Sequence, residues 1–287
     1  MEHDEGYVDG PRGNKIYWQA WLRDKSAQEK EASTSDCIGV VVIVHGLAEH
    51  SNRYAHVAAY LVEHGYDVFS LDHFGHGQSE GQRCFVQSFD DYIEPLHAYV
   101  TRIKQNYPGK PIHMLGHSLG GLITNIYLLR YQQQLTSAVL SGPLVMVKAS
   151  PTKLQSMIMG FFSRFLPKSG VLQLDARQVC SDPQVVQDYI NDPLVHSGKV
   201  SARLMSELSA AMVRVLQSAG TITLPIIILQ GGKDVMVDPK GARYLFETVS
   251  STKKELKLID DSYHELLNEP RFKQQAMADI VQWLDHT

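Results

Sequence analysis

Residues 114–123, with the sequence MLGHSLGGLI, constrain the fold of this chain more than any other stretch. An apolar run leads into the motif GHSLG at residues 116–120, and an apolar pattern with helical spacing follows it. This spacing matches G-x-S-x-G, in which a serine lies on a sharp turn between a strand and a helix with its hydroxyl exposed. Glycines on both sides of the serine let strand and helix approach where a Cβ atom would collide. The segment therefore predicts a strand–turn–helix unit that presents Ser118 as a candidate nucleophile.

Strand patterns and helical patterns alternate along the rest of the chain, which is typical of a mostly parallel sheet covered by helices on both faces. Residues 38–46 (IGVVVIVHG) form a continuous, largely β-branched run, as expected of a central strand that is buried on both faces. The other strand patterns begin at residues 16, 66, 111, 137, 224 and 254. The sequence thus predicts an α/β fold with a mostly parallel central sheet flanked by helices.

About eighty residues between the strand patterns at 137–145 and 224–234 lack a convincing buried strand and show helical patterns instead. One of these patterns has an apolar stripe at helical spacing, formed by Leu204, Leu208, Ala211, Met212, Val215 and Ala219. An insertion at this point of a doubly wound sheet lies over the carboxyl ends of the strands, where such sheets bind ligands. We therefore predict a helical lid at residues 146–222, between the sixth and seventh core strands, and a core domain formed by residues 1–145 and 223–287.

Composition argues against several classes of protein. The formal net charge of −4 leaves no basic footprint, so nucleic acid is not an expected partner. Three widely spaced cysteines suggest neither a disulfide framework nor a zinc site. No apolar run approaches the roughly 18–20 residues that cross a bilayer, and the acidic first five residues do not resemble a secretory signal. These features lead us to expect a cytoplasmic protein with reduced thiols.

A serine nucleophile needs a base within hydrogen-bonding reach, and the base needs an acid that orients it. In α/β-hydrolases these partners follow in the chain order serine, aspartate or glutamate, histidine. Three histidines come after Ser118: His196 lies in the predicted lid, His286 is the penultimate residue, and His264 follows the last strand pattern. His264 is therefore the candidate base.

The candidate acid is one of four aspartates in the right region, Asp234, Asp238, Asp260 and Asp261. Asp238 precedes a proline and a helical pattern, so it has a structural role as a helix N-cap. Asp260 and Asp261 belong to the same loop as His264. Asp234 ends the strand and turn at residues 224–234, at the rim where the site is expected. We favour Asp234, with Asp238 as the alternative.

The oxyanion of an acyl-transfer reaction needs backbone N–H donors, one from the residue after the nucleophile and one from the loop after an earlier central strand. Leu119 supplies the first by its position. The second comes from His45-Gly46-Leu47 at the end of the 38–46 run, with the Leu47 N–H as donor.

Five blocks of this sequence resemble the monoacylglycerol lipases, which are serine hydrolases of the α/β-hydrolase superfamily. The match extends over nearly the whole chain outside the predicted lid. The blocks are HGLAEHSNRY (45–54), LDHFGHGQSEG (71–81), GHSLGG (116–121), LQGGKDVMVDPKGA (229–242) and YHELLNE (263–269). Two positions depart from the family pattern, because Ala48 replaces a frequent glycine and Val237 replaces the cysteine of mammalian members.

The resemblance implies an α/β-hydrolase fold and cleavage of the single ester of a monoacylglycerol, without a metal or an organic cofactor. By motif position it implies Ser118, Asp234 and His264 as the triad, and Leu47 and Leu119 as the oxyanion donors. It also implies that polar residues hold the glycerol headgroup, namely Glu49, Arg53, His117 and Tyr189. Each glycerol hydroxyl that is buried without a partner would cost about 1–3 kcal/mol, which agrees with such a site. The alternative for Glu49 and Arg53, which are four residues apart, is an ion pair on a helix surface.

Other functions remain open at this stage. A lysophospholipase or a broad-specificity carboxylesterase would use the same triad. A non-catalytic lipid-binding domain is disfavoured, because every catalytic position holds a competent residue.

The predicted lid also suggests a membrane contact. Residues 153–167 (KLQSMIMGFFSRFLP) are too short to span a bilayer but suited to lie in its headgroup layer. We expect Ile158 and Phe162 to face outward in that case. The alternative is that the apolar residues pack onto the core and line the acyl pocket.

Overall fold

The computed structural model describes residues 1–24, 37–148 and 152–287. Eight strands form the main sheet, in the spatial order β1-β2-β4-β3-β5-β6-β9-β10. Strand β2 pairs antiparallel with β1 and with β4, and the other neighbours run parallel. The strands of the described residues are β1 (Glu2–Asp9), β2 (Lys15–Leu22), β3 (Gly39–Val44), β4 (Tyr66–Leu71), β5 (Ile112–His117), β6 (Ser137–Ser141), β7 (Gly170–Gln173), β8 (Lys199–Ser201), β9 (Ile226–Gly231) and β10 (Lys254–Ile259).

Helices cover both faces of this sheet. The helices of the described residues are α1 (Ala55–Glu63), α2 (Asp90–Asn106), α3 (Leu119–Tyr131), α4 (Lys153–Phe165), α5 (Pro183–Asn191), α6 (Ala202–Ser218), α7 (Lys240–Thr248) and α8 (Lys273–Asp285). The predicted mostly parallel sheet with flanking helices is confirmed.

The central strand β3 shows why the sheet needs two helical layers. Because successive side chains of a strand point to opposite faces, Val40, Val42 and Val44 join one hydrophobic core with helices α2 and α3. Val41 and Ile43 join a second core with helices α1 and α8. Every side chain of this strand is buried, as its continuous apolar sequence predicts.

Strand β1 was not expected from the sequence. All eight of its residues pair with β2, and most of their side chains are exposed. Its charged sequence, EHDEGYVD, lacks the apolar alternation by which strands are recognised. Charges are common on an edge strand because they discourage pairing with another chain.

The segment between β6 and β9, the sixth and seventh strands of the main sheet in chain order, holds helices α4, α5 and α6. We call residues 146–222 the inserted segment; residues 149–151 of it lie outside the described residues. It also contains a two-stranded antiparallel sheet of β7 and β8, which the sequence did not reveal because β7 is exposed. The predicted stripe of α6 packs into the core below, with Met212 only partly buried. No helix in the described part of the chain is long and apolar enough to cross a membrane.

Candidate active site

Ser118 lies on the tight turn between β5 and α3 that the motif predicts. Its backbone has φ 53° and ψ −114°, a region that L-residues rarely adopt and that costs about 1–3 kcal/mol. A Cβ atom on Gly116 would lie 2.3 Å from the Thr124 Oγ1, and one on Gly120 would lie 1.9 Å from the Val44 carbonyl oxygen. The glycines therefore permit the close approach of strand and helix that the turn requires.

A chain of hydrogen bonds connects Ser118 to two residues far away in sequence. His264 Nε2 lies 2.8 Å from Ser118 Oγ, and His264 Nδ1 lies 2.7 Å from Asp234 Oδ2. The structure thus places Asp234, and not Asp238, against the histidine. The Asp238 carboxylate instead accepts a hydrogen bond from the Lys240 amide at the start of α7, 3.0 Å away, as expected of a helix-capping group.

Asp234 is fully buried and held as an anion. Burial raises the pKa of its carboxyl. The charge and hydrogen bond of His264, together with the Val237 amide and the Gln230 side chain, lower the pKa by a larger amount, so that it lies below the ordinary value. Burial lowers the pKa of His264, but the charge and hydrogen bond of Asp234, together with the charges of Glu265 and Glu49, outweigh this effect and raise the pKa above its ordinary value. The pair is therefore suited to accept a proton from Ser118 and to stabilise the resulting imidazolium.

The other two histidines that follow Ser118 have different surroundings. The His196 amide donates to the carbonyl oxygen of Ala48, 2.8 Å away, and so joins the inserted segment to the loop after β3. His286 is exposed and its Nδ1 lies 2.7 Å from the Gln282 carbonyl oxygen in the last turn of α8.

The two backbone amides predicted as oxyanion donors follow the ends of the neighbouring strands β5 and β3. Leu119 is the first residue of α3, so its N–H has no partner within the helix. Leu47 follows β3 and lines the same cavity as Ser118. The neighbouring Gly46 amide is already engaged, since it donates to Glu49 Oε1 at 2.6 Å. Ala48 has φ 66°, a conformation that favours glycine, which explains the frequent glycine at this position in the family it resembles.

A cavity of about 70 Å³ opens beside Ser118 and His264. Its volume is well below the roughly 300–1,000 Å³ of typical small-molecule sites. Apolar side chains from the core and the inserted segment form one part of its wall, and polar side chains form another. The polar wall contains Glu49, His117, Tyr189 and Glu265.

Arg53 lies behind this polar wall. Its guanidinium makes a bidentate contact with Glu265, with both N–O distances 2.7 Å, and also donates to Glu49 Oε2. Arg53 lines a second, neighbouring cavity and is absent from the described lining of the cavity beside Ser118. The structure therefore brings three of the four predicted headgroup residues to the cavity. The interpretation of Glu49 and Arg53 as a surface ion pair is wrong, because the pair is buried together with Glu265.

Sequence reasoning missed Glu265. The one available signal was its position next to His264 within the YHELLNE block. Its carboxylate accepts from Arg53 and from Asn268 Nδ2, 2.9 Å away, and its amide donates to the Val179 carbonyl oxygen of the inserted segment. Burial raises the pKa of Glu265, but the charge and hydrogen bonds of Arg53, together with His117 and Asn268, lower it by more, so that the carboxyl is ionised.

Tyr189 of helix α5 connects the inserted segment to the same cluster. Its ring lies 4.6 Å from the Arg53 guanidinium, in a cation–π contact. His50 Nε2, 2.8 Å from Asp192 Oδ2, adds a second link between the core and α5. Among the described residues, no group of three or more histidines, cysteines or carboxylates is arranged to hold a metal ion.

Comparison with known proteins agrees with this geometry. The profile of the family described as "Serine aminopeptidase, S33" matches residues 35–271. The monoacylglycerol lipase of Mycolicibacterium smegmatis is 34% identical, over 96% of this chain and 94% of that protein. The human monoglyceride lipase is 31% identical, over 85% of this chain and 82% of that protein. The crystal structure of the Paleococcus ferrophilus monoacylglycerol lipase covers 100% of both chains with a TM-score of 0.81 and 27% identity.

The chain has a serine on a strand–turn–helix unit in a mostly parallel sheet, and its relatives match it over most of its length. It therefore belongs to the serine hydrolases with the α/β-hydrolase fold. More narrowly, the chain belongs to the monoacylglycerol lipase family, since its identity to members from a bacterium and a mammal exceeds 30% over most of both chains.

Proposed function

We propose that this protein hydrolyses monoacylglycerols to a free fatty acid and glycerol through an acyl-enzyme. The hydrogen-bonded chain from Ser118 through His264 to Asp234 is the observation that carries the proposal, together with the family membership. The chemistry assigned to these three residues follows from their geometry and from the general behaviour of such triads.

In the first half of the reaction, His264 Nε2 takes the proton of Ser118 as its Oγ attacks the ester carbonyl carbon. The N–H groups of Leu47 and Leu119 donate to the oxyanion of the tetrahedral intermediate. When the intermediate collapses, the ester C–O bond breaks and His264 gives its proton to the glycerol oxygen. In the second half, His264 activates a water molecule, which releases the fatty acid and restores Ser118.

The polar wall of the cavity forms the headgroup site. Glu49, Glu265, His117 and Tyr189 offer hydrogen-bonding groups at the same cavity as Ser118. Arg53 holds the two carboxylates in place from behind. A glycerol bound there exchanges its hydrogen bonds with solvent for hydrogen bonds with these side chains, which avoids the cost of burying unpaired hydroxyls.

The inserted segment, residues 146–222, acts as a lid on a core formed by residues 1–145 and 223–287. Its residues Leu174, Val179 and Tyr189 line the cavity beside Ser118. Because about 70 Å³ does not hold a long acyl chain, we infer that part of this segment moves aside when such a substrate binds.

Helix α4 of the lid brings the protein to a lipid surface. Met157, Phe161 and Phe165 repeat every four residues along one face and are 72%, 57% and 61% exposed. Ile158 is also exposed, as expected for this role. Phe162 is partly buried, contrary to expectation, because it lies about a quarter turn around the helix from the exposed stripe, toward the buried Ser163. These exposures favour a peripheral membrane contact over a role purely as a pocket wall.

The function is tested by comparing the hydrolysis of 1-oleoylglycerol, 1-oleoyl-lysophosphatidylcholine and p-nitrophenyl butyrate. We expect the highest kcat/KM on 1-oleoylglycerol. Ser118→Ala should lower activity on every substrate by about four to six orders of magnitude and abolish labelling by a fluorophosphonate probe. Preference for lysophosphatidylcholine would favour the lysophospholipase, and labelling that survives the substitution would place the nucleophile elsewhere.

A further inference from the structure

The cavity beside Ser118 has two carboxylates in its wall, from Glu49 and Glu265. Both side chains are buried, with residue exposures of 2% and 4%. They come from distant parts of the chain and meet at one guanidinium, since Arg53 Nη1 donates to Glu49 Oε2 and to Glu265 Oε1. The arrangement is therefore a three-membered ionic cluster with its acidic members toward the cavity.

The cluster carries an unbalanced negative charge. Arg53 neutralises one of the two carboxylates, and His117 is neutral because burial lowers its pKa to about 4. With His264 neutral, as its role as the base requires, Glu49 and Glu265 are the charged groups among the described residues that line this cavity. Buried excess charge is unfavourable for folding, and such groups concentrate at functional sites.

Both carboxylates retain the capacity to accept hydrogen bonds. Within the described part of the chain, Glu49 Oε2 and Glu265 Oε1 each have one partner, the shared Nη1 of Arg53. A carboxylate oxygen accepts two hydrogen bonds. The remaining oxygens are more fully engaged, since Glu49 Oε1 accepts from the Gly46 amide and the Tyr54 hydroxyl.

We propose that Glu265 is a specificity-determining residue that, with Glu49, makes the headgroup end of the cavity a negatively charged hydrogen-bond acceptor site. Such a site favours esters whose leaving alcohol is a neutral polyol, because each hydroxyl donates to a carboxylate. It rejects esters whose leaving alcohol carries a phosphate, which meets two carboxylates and no free cation. The inference rests on the proposed function, since it assumes that the leaving alcohol occupies this end of the cavity.

The test compares two lipids that share the acyl chain and the glycerol and differ only in a phosphate, 1-oleoylglycerol and 1-oleoylglycerol 3-phosphate. Both are presented in the same excess of nonionic detergent, and kcat/KM is measured by fatty acid release. We expect the wild-type protein to prefer the neutral lipid by about a hundredfold. Glu265→Gln should raise the relative kcat/KM for the phosphate lipid by about ten- to fiftyfold, because it removes one nearby charge of the same sign. Glu265→Asp, which keeps the charge, should retain the wild-type preference.

Glu269→Gln is the matched control. Glu269 is a buried carboxylate of the same loop that binds the Ser181 amide at 3.0 Å and is absent from the described cavity lining. Its loss should leave the ratio of the two lipids unchanged. Equal wild-type kcat/KM on the two lipids, or an equal fall in kcat/KM for both lipids in Glu265→Gln, would overturn this inference and leave the proposed function standing. Activity on p-nitrophenyl butyrate but on neither lipid would overturn the proposed function and the inference with it.

Discussion

Ser118, Asp234 and His264 lie beyond the carboxyl ends of strands β5, β9 and β10, whereas Tyr189 and the apolar helix α4 belong to the inserted segment. The first three are placed by strands packed in the main sheet, and their polar atoms meet at hydrogen-bonding distance. Helix α4 instead exposes large apolar side chains. Helix α6 of the same inserted segment packs its apolar stripe into the core. The inserted segment is therefore not uniform, because α6 belongs to the packed core and α4 forms an exposed surface.

The sharpest test of the core side of this comparison is Asp234→Asn. We expect kcat on every substrate to fall by about four orders of magnitude, because an amide cannot hold the His264 tautomer or stabilise its charged form. Asp238→Asn is the matched control four residues away, and it should retain nearly full activity because it affects only the start of α7. A larger loss in Asp238→Asn than in Asp234→Asn would contradict the proposed triad.

The second test separates α6 from α4 by stability. Leu208→Ala in α6 should lower the free energy of unfolding by about 2–5 kcal/mol, because it leaves a cavity in the buried core. Phe161→Ala in α4 should change it by less than about 0.5 kcal/mol, because that side chain is exposed. Urea unfolding of the two variants measures both values. Similar losses would mean that α4 packs as tightly as α6 and would remove the contrast between them.

The third test addresses what the α4 surface does. The double substitution Phe161→Ser and Phe165→Ser should reduce turnover of 1-oleoylglycerol in phosphatidylcholine vesicles by about tenfold, since it removes apolar area from the lipid contact. Activity on p-nitrophenyl butyrate should be unchanged. Val213→Ser removes an exposed apolar residue from α6 and should leave both activities unchanged. If the double variant binds and hydrolyses vesicle lipid like the wild type, α4 is not the membrane contact.

The smallest expected effect is a shift in the midpoint of the pH dependence of kcat/KM. It is measured on p-nitrophenyl butyrate so that membrane contact plays no part. A protonated His264 cannot accept the Ser118 proton, so kcat/KM should fall as pH decreases through the pKa of this imidazole. Because Asp234 raises that pKa, the midpoint should lie above 6.5, the ordinary value for the imidazole. A midpoint below 6.5 would mean that the burial of His264 outweighs the charge and hydrogen bond of Asp234.

The sequence by itself determined the features that are encoded in neighbouring residues. The β-branched run of β3, the turn at Ser118 and the stripe of α6 follow from local spacing and from the steric needs of glycine. Chain order also selected His264 among the three later histidines. Strand β1 escaped prediction because an exposed, charged edge strand has no apolar alternation.

Tertiary structure alone decided which distant groups meet. Arg53 and Glu265 are separated by 212 positions, and no local pattern relates them until the sheet brings the loops after β3 and β10 together. The same holds for Asp234, whose partner His264 lies 30 positions away, while Asp238 was an alternative from sequence alone. Likewise, the sequences of α4 and α6 both show an apolar helical pattern. Periodicity indicates which residues share a face of the helix, but only tertiary packing decides whether that face is buried, as in α6, or exposed, as in α4.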